Sequence, residues 1–316
     1  MKLIVAVVFI CVIASLSKAQ PIPGKEENIP YLVTFGKQGE TKWGDDDYCQ
    51  VMFVVIPKEI TKPFYVRVFD PDVAGEIDEV KADANTKTKF SIYGGKLAYS
   101  HPDAGSLNPV GNFKSGTLIN SKIFSVNPEF DSKWFSFGPI NPKEGEYLEE
   151  FSGYVFKIIA EGMEGNDGNL YKYFISTSST DNLPVEGTNS FPFEYTFRLD
   201  DKVGSVSHIY PYIADNVVKV NIHVFDLDDD AYMRMISIAK KGEKINGSID
   251  DQWSESSHVV EESEKNTSLD IQIIKFASKP NNNVVIYITN QYNKFLPFYS
   301  IPIGGVPKYK YKINVK

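Results

Sequence analysis

Cysteine is almost missing from this chain: of 316 residues, only Cys11 and Cys49 carry a thiol. Cys11 lies in an apolar N-terminal run, so once that run is removed neither an internal disulfide nor a thiolate zinc site can be built. Histidine is nearly as scarce. His101, His208, His223 and His258 show no i, i+2 or i+4 pairing, which removes a histidine zinc site read from spacing. There is no G-x-S-x-G turn, and Cys49 sits in a strand pattern with no histidine near it in sequence, so its expected role is a buried thiol rather than a nucleophile. Basic residues are the minority, 33 Lys and Arg against 41 Asp and Glu, which argues against nucleic acid as a partner. Beyond the first residues no run is apolar enough for a membrane span.

Those first residues, MKLIVAVVFICVIASLSKAQ, have a basic Lys2, an apolar core from Leu3 to Ile13, and small residues at Ser17 and Ala19. The pattern predicts a secretory signal peptide over residues 1–19 and a secreted, periplasmic or cell-surface destination. Its removal takes the formal charge from -8 to about -10. The acidity that remains is concentrated in loops.

What the chain has in quantity is aromatic and β-branched sequence. Runs with strand period appear at Ile29–Gly36, Tyr48–Ile56, Phe64–Phe69, Thr88–Tyr93, Thr117–Val126, and from Trp134, Gly153 and Leu170. Tyr65, Arg67 and Phe69 alternate with Phe64, Val66 and Val68, so one of the two faces is expected in the core. EGMEGNDGN separates the runs beginning at Gly153 and Leu170 and predicts a hairpin between them. The C-terminal IPIGGVPKYKYKINVK, with lysines alternating against Tyr, Ile and Val, predicts a charged edge strand. No i, i+3, i+4, i+7 stripe is sustained anywhere, so the fold class is all-β.

A second series of strands follows the turn-rich stretch Ser179–Ser190. FPFEYTFRL from Phe191 echoes the strand around Tyr31, and SHIYPYI from Ser207 precedes VKVNIHVFD as YCQVMFVVI precedes FYVRVFD. IQIIKFASKPNNNVVIYITN from Ile271 repeats the strand, turn and strand of FKIIAEGMEGNDGNLYKYFIST from Phe156. This shared order, at a spacing of roughly 115 to 160 residues, predicts two tandem antiparallel β-sandwiches related by internal duplication, residues 20–187 with long loops and residues 188–316.

The strand ending at Phe69 opens into a loop carrying Asp70, Asp72, Glu76, Asp78 and Glu79; the strand ending at Phe225 opens into Asp226, Asp228, Asp229 and Asp230. Several carboxylates on one rim repel each other, and a divalent cation with six to eight oxygen ligands reverses the sign of that interaction. The competing reading is a solvated loop whose aspartates bond to turn N–H groups. The D-x-D-x5-D spacing of Asp70, Asp72 and Asp78 resembles the third calcium loop of the phospholipid-binding sandwich modules of protein kinase C. That resemblance implies calcium held by Asp70, Asp72 and Asp78; the neighbouring acidic loop offers Asp45, Asp46 or Asp47 as a further ligand. The second copy keeps Asp226 and Asp228 but has Arg234 where the third acid should stand.

Taken whole, the chain resembles a family of exported Bacteroidetes proteins, some of whose members stand ahead of an OmpA-type peptidoglycan-binding domain. The resemblance is carried by TFG at Thr34, WGDDD at Trp43, VFDPD at Val68, FSIYGGK at Phe90, DGNLYK at Asp167, SHIYP at Ser207, NNNVVI at Asn281 and IPIGGVPKYKYKI at Ile301. It implies a periplasmic or surface binding and scaffolding role; with the duplicated sandwiches and no nucleophile or metal-catalysis motif, the expectation is a non-enzymatic binding or structural module with an envelope protein or glycan as partner. The alternative is a secreted carbohydrate-active hydrolase or carbohydrate-binding protein, using scattered carboxylates and the tryptophans Trp43, Trp134 and Trp253.

Overall fold

A computed structural model describes residues 21–39, 47–105 and 110–311. The expected export segment, Trp43, Asp45 and Asp46 lie outside those residues. Apart from short 3-10 turns the described chain is strand and loop, numbered β1 to β20 in chain order, and every strand pair is antiparallel. No helix among the described residues is long and apolar enough to cross a membrane.

One sheet runs through both halves of the chain. From one edge to the other it contains β17 (Trp253–Val259), β14 (Lys219–Phe225), β20 (Asn283–Asn290), β11 (Glu194–Arg198), β1 (Tyr31–Phe35), β9 (Gly168–Ser176), β3 (Phe64–Phe69) and β6 (Trp134–Ile140). The halves meet where β1 pairs β11, with Tyr31 opposite Arg198 and Leu32 opposite Phe197. Outward from that junction the order is β1, β9, β3, β6 on one side and β11, β20, β14, β17 on the other.

Two smaller sheets and a two-stranded pair, β13 (Tyr212–Ile213) with β18 (Thr267–Ser268), accompany it. The first contains β10 (Asn189–Phe191), β2 (Cys49–Pro57), β8 (Gly153–Glu164), β4 (Lys87–Gly94) and β5 (Thr117–Phe124); the other contains β12 (Val206–Ile209), β19 (Asp270–Lys275), β15 (Ala231–Ile236) and β16 (Lys241–Ile245). In β3 the alternation places Phe64, Val66 and Val68 in the core, and Phe64 meets Phe156 of β8 edge to face at 5.1 Å. Val220, Ile222 and Val224 of β14 belong to the same hydrophobic cluster, with Ile271 and Ile273 of β19 and Met233 and Met235 of β15. The core therefore continues across the division at 187/188, and main-chain pairing crosses that division at both β1–β11 and β10–β2. Cys49 is buried and free.

Two local expectations are corrected. The strands flanking EGMEGNDGN do not form a hairpin: β8 pairs β2 and β4, whereas β9 pairs β1 and β3 in the opposite sheet. Turn composition reports where the chain bends, but both strands have a buried face to satisfy, and crossing between layers satisfies both. Residues 301–311 form turns and irregular chain rather than an edge strand: Gly304 and Gly305 both adopt left-handed backbone, φ 83° and 82°, which turns the chain, and Lys310 N–H then donates to the Ile238 carbonyl at 3.0 Å in an isolated contact rather than a ladder. Residues 312–316 lie outside the described chain.

The seam also carries a buried ion pair. Glu79, at the end of the first acidic loop, accepts from Arg198 Nη2 and from Asn283 Nδ2, both on second-half strands, the latter at 2.7 Å. The two charged side chains are only 11% and 9% exposed. Removing one partner of such a pair leaves an uncompensated buried charge and costs about 3–5 kcal/mol. Arg198→Ala is accordingly expected to lower the melting temperature by several degrees, and adding Glu79→Gln should recover part of the loss. A thermal melt of Arg198→Ala coinciding with that of the parent would show that the pair does not hold the seam.

Candidate metal centre

Both acidic loops start the same way. Asp70 and Asp226 each follow the last residue of a strand and adopt left-handed backbone, φ 53° and 56°. This conformation costs most side chains and is tolerated by aspartate, so it turns the chain sharply and folds the carboxylate back on the rim. In the first half Ser132 N–H donates to Asp70 Oδ1 at 2.8 Å; in the second Asp251 N–H donates to Asp226 Oδ1 at 3.0 Å. The donors lie just ahead of Trp134 and Trp253, which stand opposite Phe69 and Phe225 in the ladders and contact them at ring separations of 5.2 and 5.1 Å. A buried asparagine holds the middle of each turn: Asn169 Nδ2 donates to the Pro71 carbonyl at 3.1 Å and Asn282 Nδ2 to the Leu227 carbonyl at 3.2 Å.

The first rim is short of donors. Asp70 and Asp72 are 0% exposed and Asp78 is 5% exposed. Leu170 N–H satisfies Asp78 Oδ1 at 2.7 Å, but Asp70 Oδ2, both oxygens of Asp72 and Asp78 Oδ2 find no hydrogen-bond partner, nor does Asn169 Oδ1. Unpaired buried carboxylate oxygens are costly, and the cost appears in their acidity. Burial pushes Asp70 up to about 7, with the Asp72 and Asp131 charges adding to it. Burial likewise pushes Asp72 up to about 6, with Asp131 adding to it. Asp78 is raised well above the usual carboxylate range, by burial first and then by Asp70 and Asp72. Such a group needs either a proton or a cation.

The remaining sequence candidates separate. Asp46 lies outside the described residues. Asp47 accepts from Cys49 N–H at 2.8 Å and Thr196 Oγ1 at 2.7 Å, which ties it to β2 and to β11 of the second half. Glu76 is exposed, and Glu79 serves the seam.

The second rim is tighter. Among the described residues, the set of three acidic groups whose ligand oxygens all lie within 4.8 Å of one another is Asp226, Asp228 and Asp250, rather than the first-half triad. Arg234 bonds Gln272 on β19 at 2.8 Å, and the third carboxylate comes instead from Asp250. Burial pushes Asp226 up to about 6, with Asp250 and Asp251 adding to it, and pushes Asp228 up to about 7, with Asp250 adding to it. Lys279 Nζ lies 3.0 Å from Asp228 Oδ1 and 3.4 Å from Asp250 Oδ1.

Sequence reasoning missed Asp131, Asp250, Asn169, Asn282 and Lys279. A signal for the first two was present in the Asp-x-x-Trp spacing at Asp131–Trp134 and Asp250–Trp253, ahead of both edge strands. No protein-family model and no curated protein matches the chain, so the functional reading rests on this geometry.

Replacing Asp72 by Asn removes a buried charge that lies beside Asp70 and Asp131 and supplies an amide donor to Asp70. Because the folded-state pKa of Asp72 lies above the free value of 3.8, its ionisation destabilises the metal-free fold as pH rises through about 4 to 6. In the presence of chelator, Asp72→Asn should therefore melt a few degrees above the parent at pH 8 and coincide with it near pH 4. A lower melt at pH 8 would show that Asp72 has a donor and that the rim is not short of one.

Proposed function

We propose that the protein is an exported, non-enzymatic binding or structural module of the periplasm or cell surface, built from two copies of one β-sandwich and stabilised by calcium. The observations that carry the cation are the Asp226, Asp228 and Asp250 group, whose ligand oxygens all lie within 4.8 Å of one another, and the unpartnered buried oxygens Asp70 Oδ2, Asp72 Oδ1 and Oδ2 and Asp78 Oδ2. Oxygen-only ligands of this kind suit a hard cation such as calcium. Where bound, the ion supplies the positive charge the rim lacks; the chain's own part is to hold the carboxylates on a rigid strand end. The duplication reading is supported by the matching strand orders on either side of β1–β11 and by the paired anchors Ser132 with Asp251 and Asn169 with Asn282.

Binding to the folded state stabilises by about 2.7 kcal/mol when calcium is at one hundred times its dissociation constant. Millimolar CaCl2 added after chelation should raise the melting temperature, more at pH 8 than at pH 5.5, since protons and calcium compete for the same oxygens. Asp70→Asn with Asp72→Asn should abolish the rise. A melt indifferent to calcium at pH 8 would remove the cation from this reading.

The partner favoured by the outer surface is a glycan. On the face of β14, β17 and β20 turned away from the core, Trp253 is 50% exposed, with its ring 5.2 Å from Tyr287, and His223 stacks on Tyr287 at 4.3 Å with an interplanar angle of 15°. Glu194 and Glu255 both bear electrostatically on Tyr287. Flat aromatic rings bordered by carboxylates fit the C–H faces and hydroxyls of a sugar. Trp253→Ala should leave the melt near the parent's, because the ring is exposed, while weakening binding in a glycan-array and titration assay at least tenfold. Equal binding by parent and variant to every glycan that the parent retains would discard the platform.

A further inference from the structure

In the second rim, three carboxylates and one ammonium occupy a space that one metal ion would fill. Oxygens bound to a single calcium ion at 2.3–2.6 Å cannot lie farther apart than about 5 Å. The ligand oxygens of Asp226, Asp228 and Asp250 meet that limit, all within 4.8 Å. Asp226 is only 2% exposed, and its Oδ2 has no hydrogen-bond partner although it belongs to this group. Asn282 fixes the loop that carries Asp226 and Asp228, donating to the Leu227 carbonyl and to Asp230. It is 0% exposed, and its Oδ1 is unpartnered.

The positive charge already present comes from Lys279, bridging Asp228 and Asp250. Counting three residues back from the matched asparagines places Asn166 where Lys279 stands, and Asn166 is engaged with Asn85 through two bonds, at 2.8 and 2.9 Å. Among the described residues no lysine is ion-paired with Asp70, Asp72 or Asp78, whereas the second rim has one whose side chain is 42% exposed and can swing clear. A tethered ammonium brings one charge and at most three donors; a divalent ion brings two charges and gathers every oxygen in reach.

We propose that Asp226, Asp228 and Asp250 form a second divalent-cation site in which Lys279 is the resident cation, so that calcium enters only by displacing its ammonium. The second rim is thus a self-occupied site, whereas the ligand oxygens of Asp70, Asp72 and Asp78 do not all lie within 4.8 Å of one another. The proposal takes the comparison of the rims from the reading above, but its test reads the second rim alone.

The full chain, stripped with chelator, is titrated calorimetrically with CaCl2 as parent, as Lys279→Gln, and as both again with Asp70→Asn and Asp72→Asn. These asparagines relieve repulsion and keep the first rim folded while silencing it. In the silenced background calcium binding should be weak or absent, Lys279→Gln should bring one equivalent at least tenfold tighter, and adding Asp228→Asn should remove it. Lys279→Met must behave as Lys279→Gln does. Removal of Lys279 should also lower the melting temperature in chelator and make it recover with CaCl2, a reversal that mere loss of a surface ion pair would not produce. A Lys279→Gln titration identical to that of its background, or a gain that survives Asp228→Asn, overturns the proposal. If the first-rim reading fails, the parent and the Asp70/Asp72 variant give the same curve, and the Lys279 comparison still decides the second rim.

Discussion

Main-chain pairing between β1 and β11 is the interaction on which the rest of the molecule depends. It brings an edge of each half together, so that two four-strand runs become one sheet with a continuous core beneath it. Leu32 and Phe197, opposite each other in this ladder, are both fully buried, and the N-terminal segment is drawn across the seam: His208 N–H donates to the Glu27 carbonyl and Tyr210 Oη to that of Glu26. An unpaired strand edge carries exposed N–H and C=O groups, and pairing the two edges removes the liability from both halves.

The seam connects to the acidic rim through one short stretch of chain. Asp78 donates its carboxylate to the first rim and the next residue, Glu79, ties to Arg198 and Asn283 of the second half. The first acidic loop and the junction of the halves thus share adjacent residues. The second rim has no equivalent reach. Its Asp230 is satisfied locally by Lys275 and Asn282, and its metal-like geometry is neutralised by Lys279. One frame, two strand ends with left-handed aspartates, supports two electrostatic solutions.

Much of this was legible along the chain. Strand positions followed from side-chain alternation: β3 begins and ends at the residues read from FYVRVF, and its Phe64, Val66 and Val68 face the core as their period requires. The acidic character of the strand ends was legible too. Hairpin pairing was not, because turn composition marks a reversal of direction without saying whether the next strand stays in the layer. The C-terminal run failed for a related reason: alternation marks residues that could pair, but two consecutive left-handed glycines turn the chain ahead of them, and nothing local says which strand they would meet.

The sequence by itself determined the all-β class, the positions of strands such as β3, and two DxD loops that each follow a strand, because these depend on near neighbours and on a period of two. Only the tertiary structure decided that the halves share one sheet, that Asp250 rather than Arg234 completes the second acidic group, and that Lys279 lies within it. Those facts join residues that the chain keeps far apart, as Asp228 is from Lys279 and Glu79 from Arg198, and no local pattern encodes which loops a packed core will bring to the same rim.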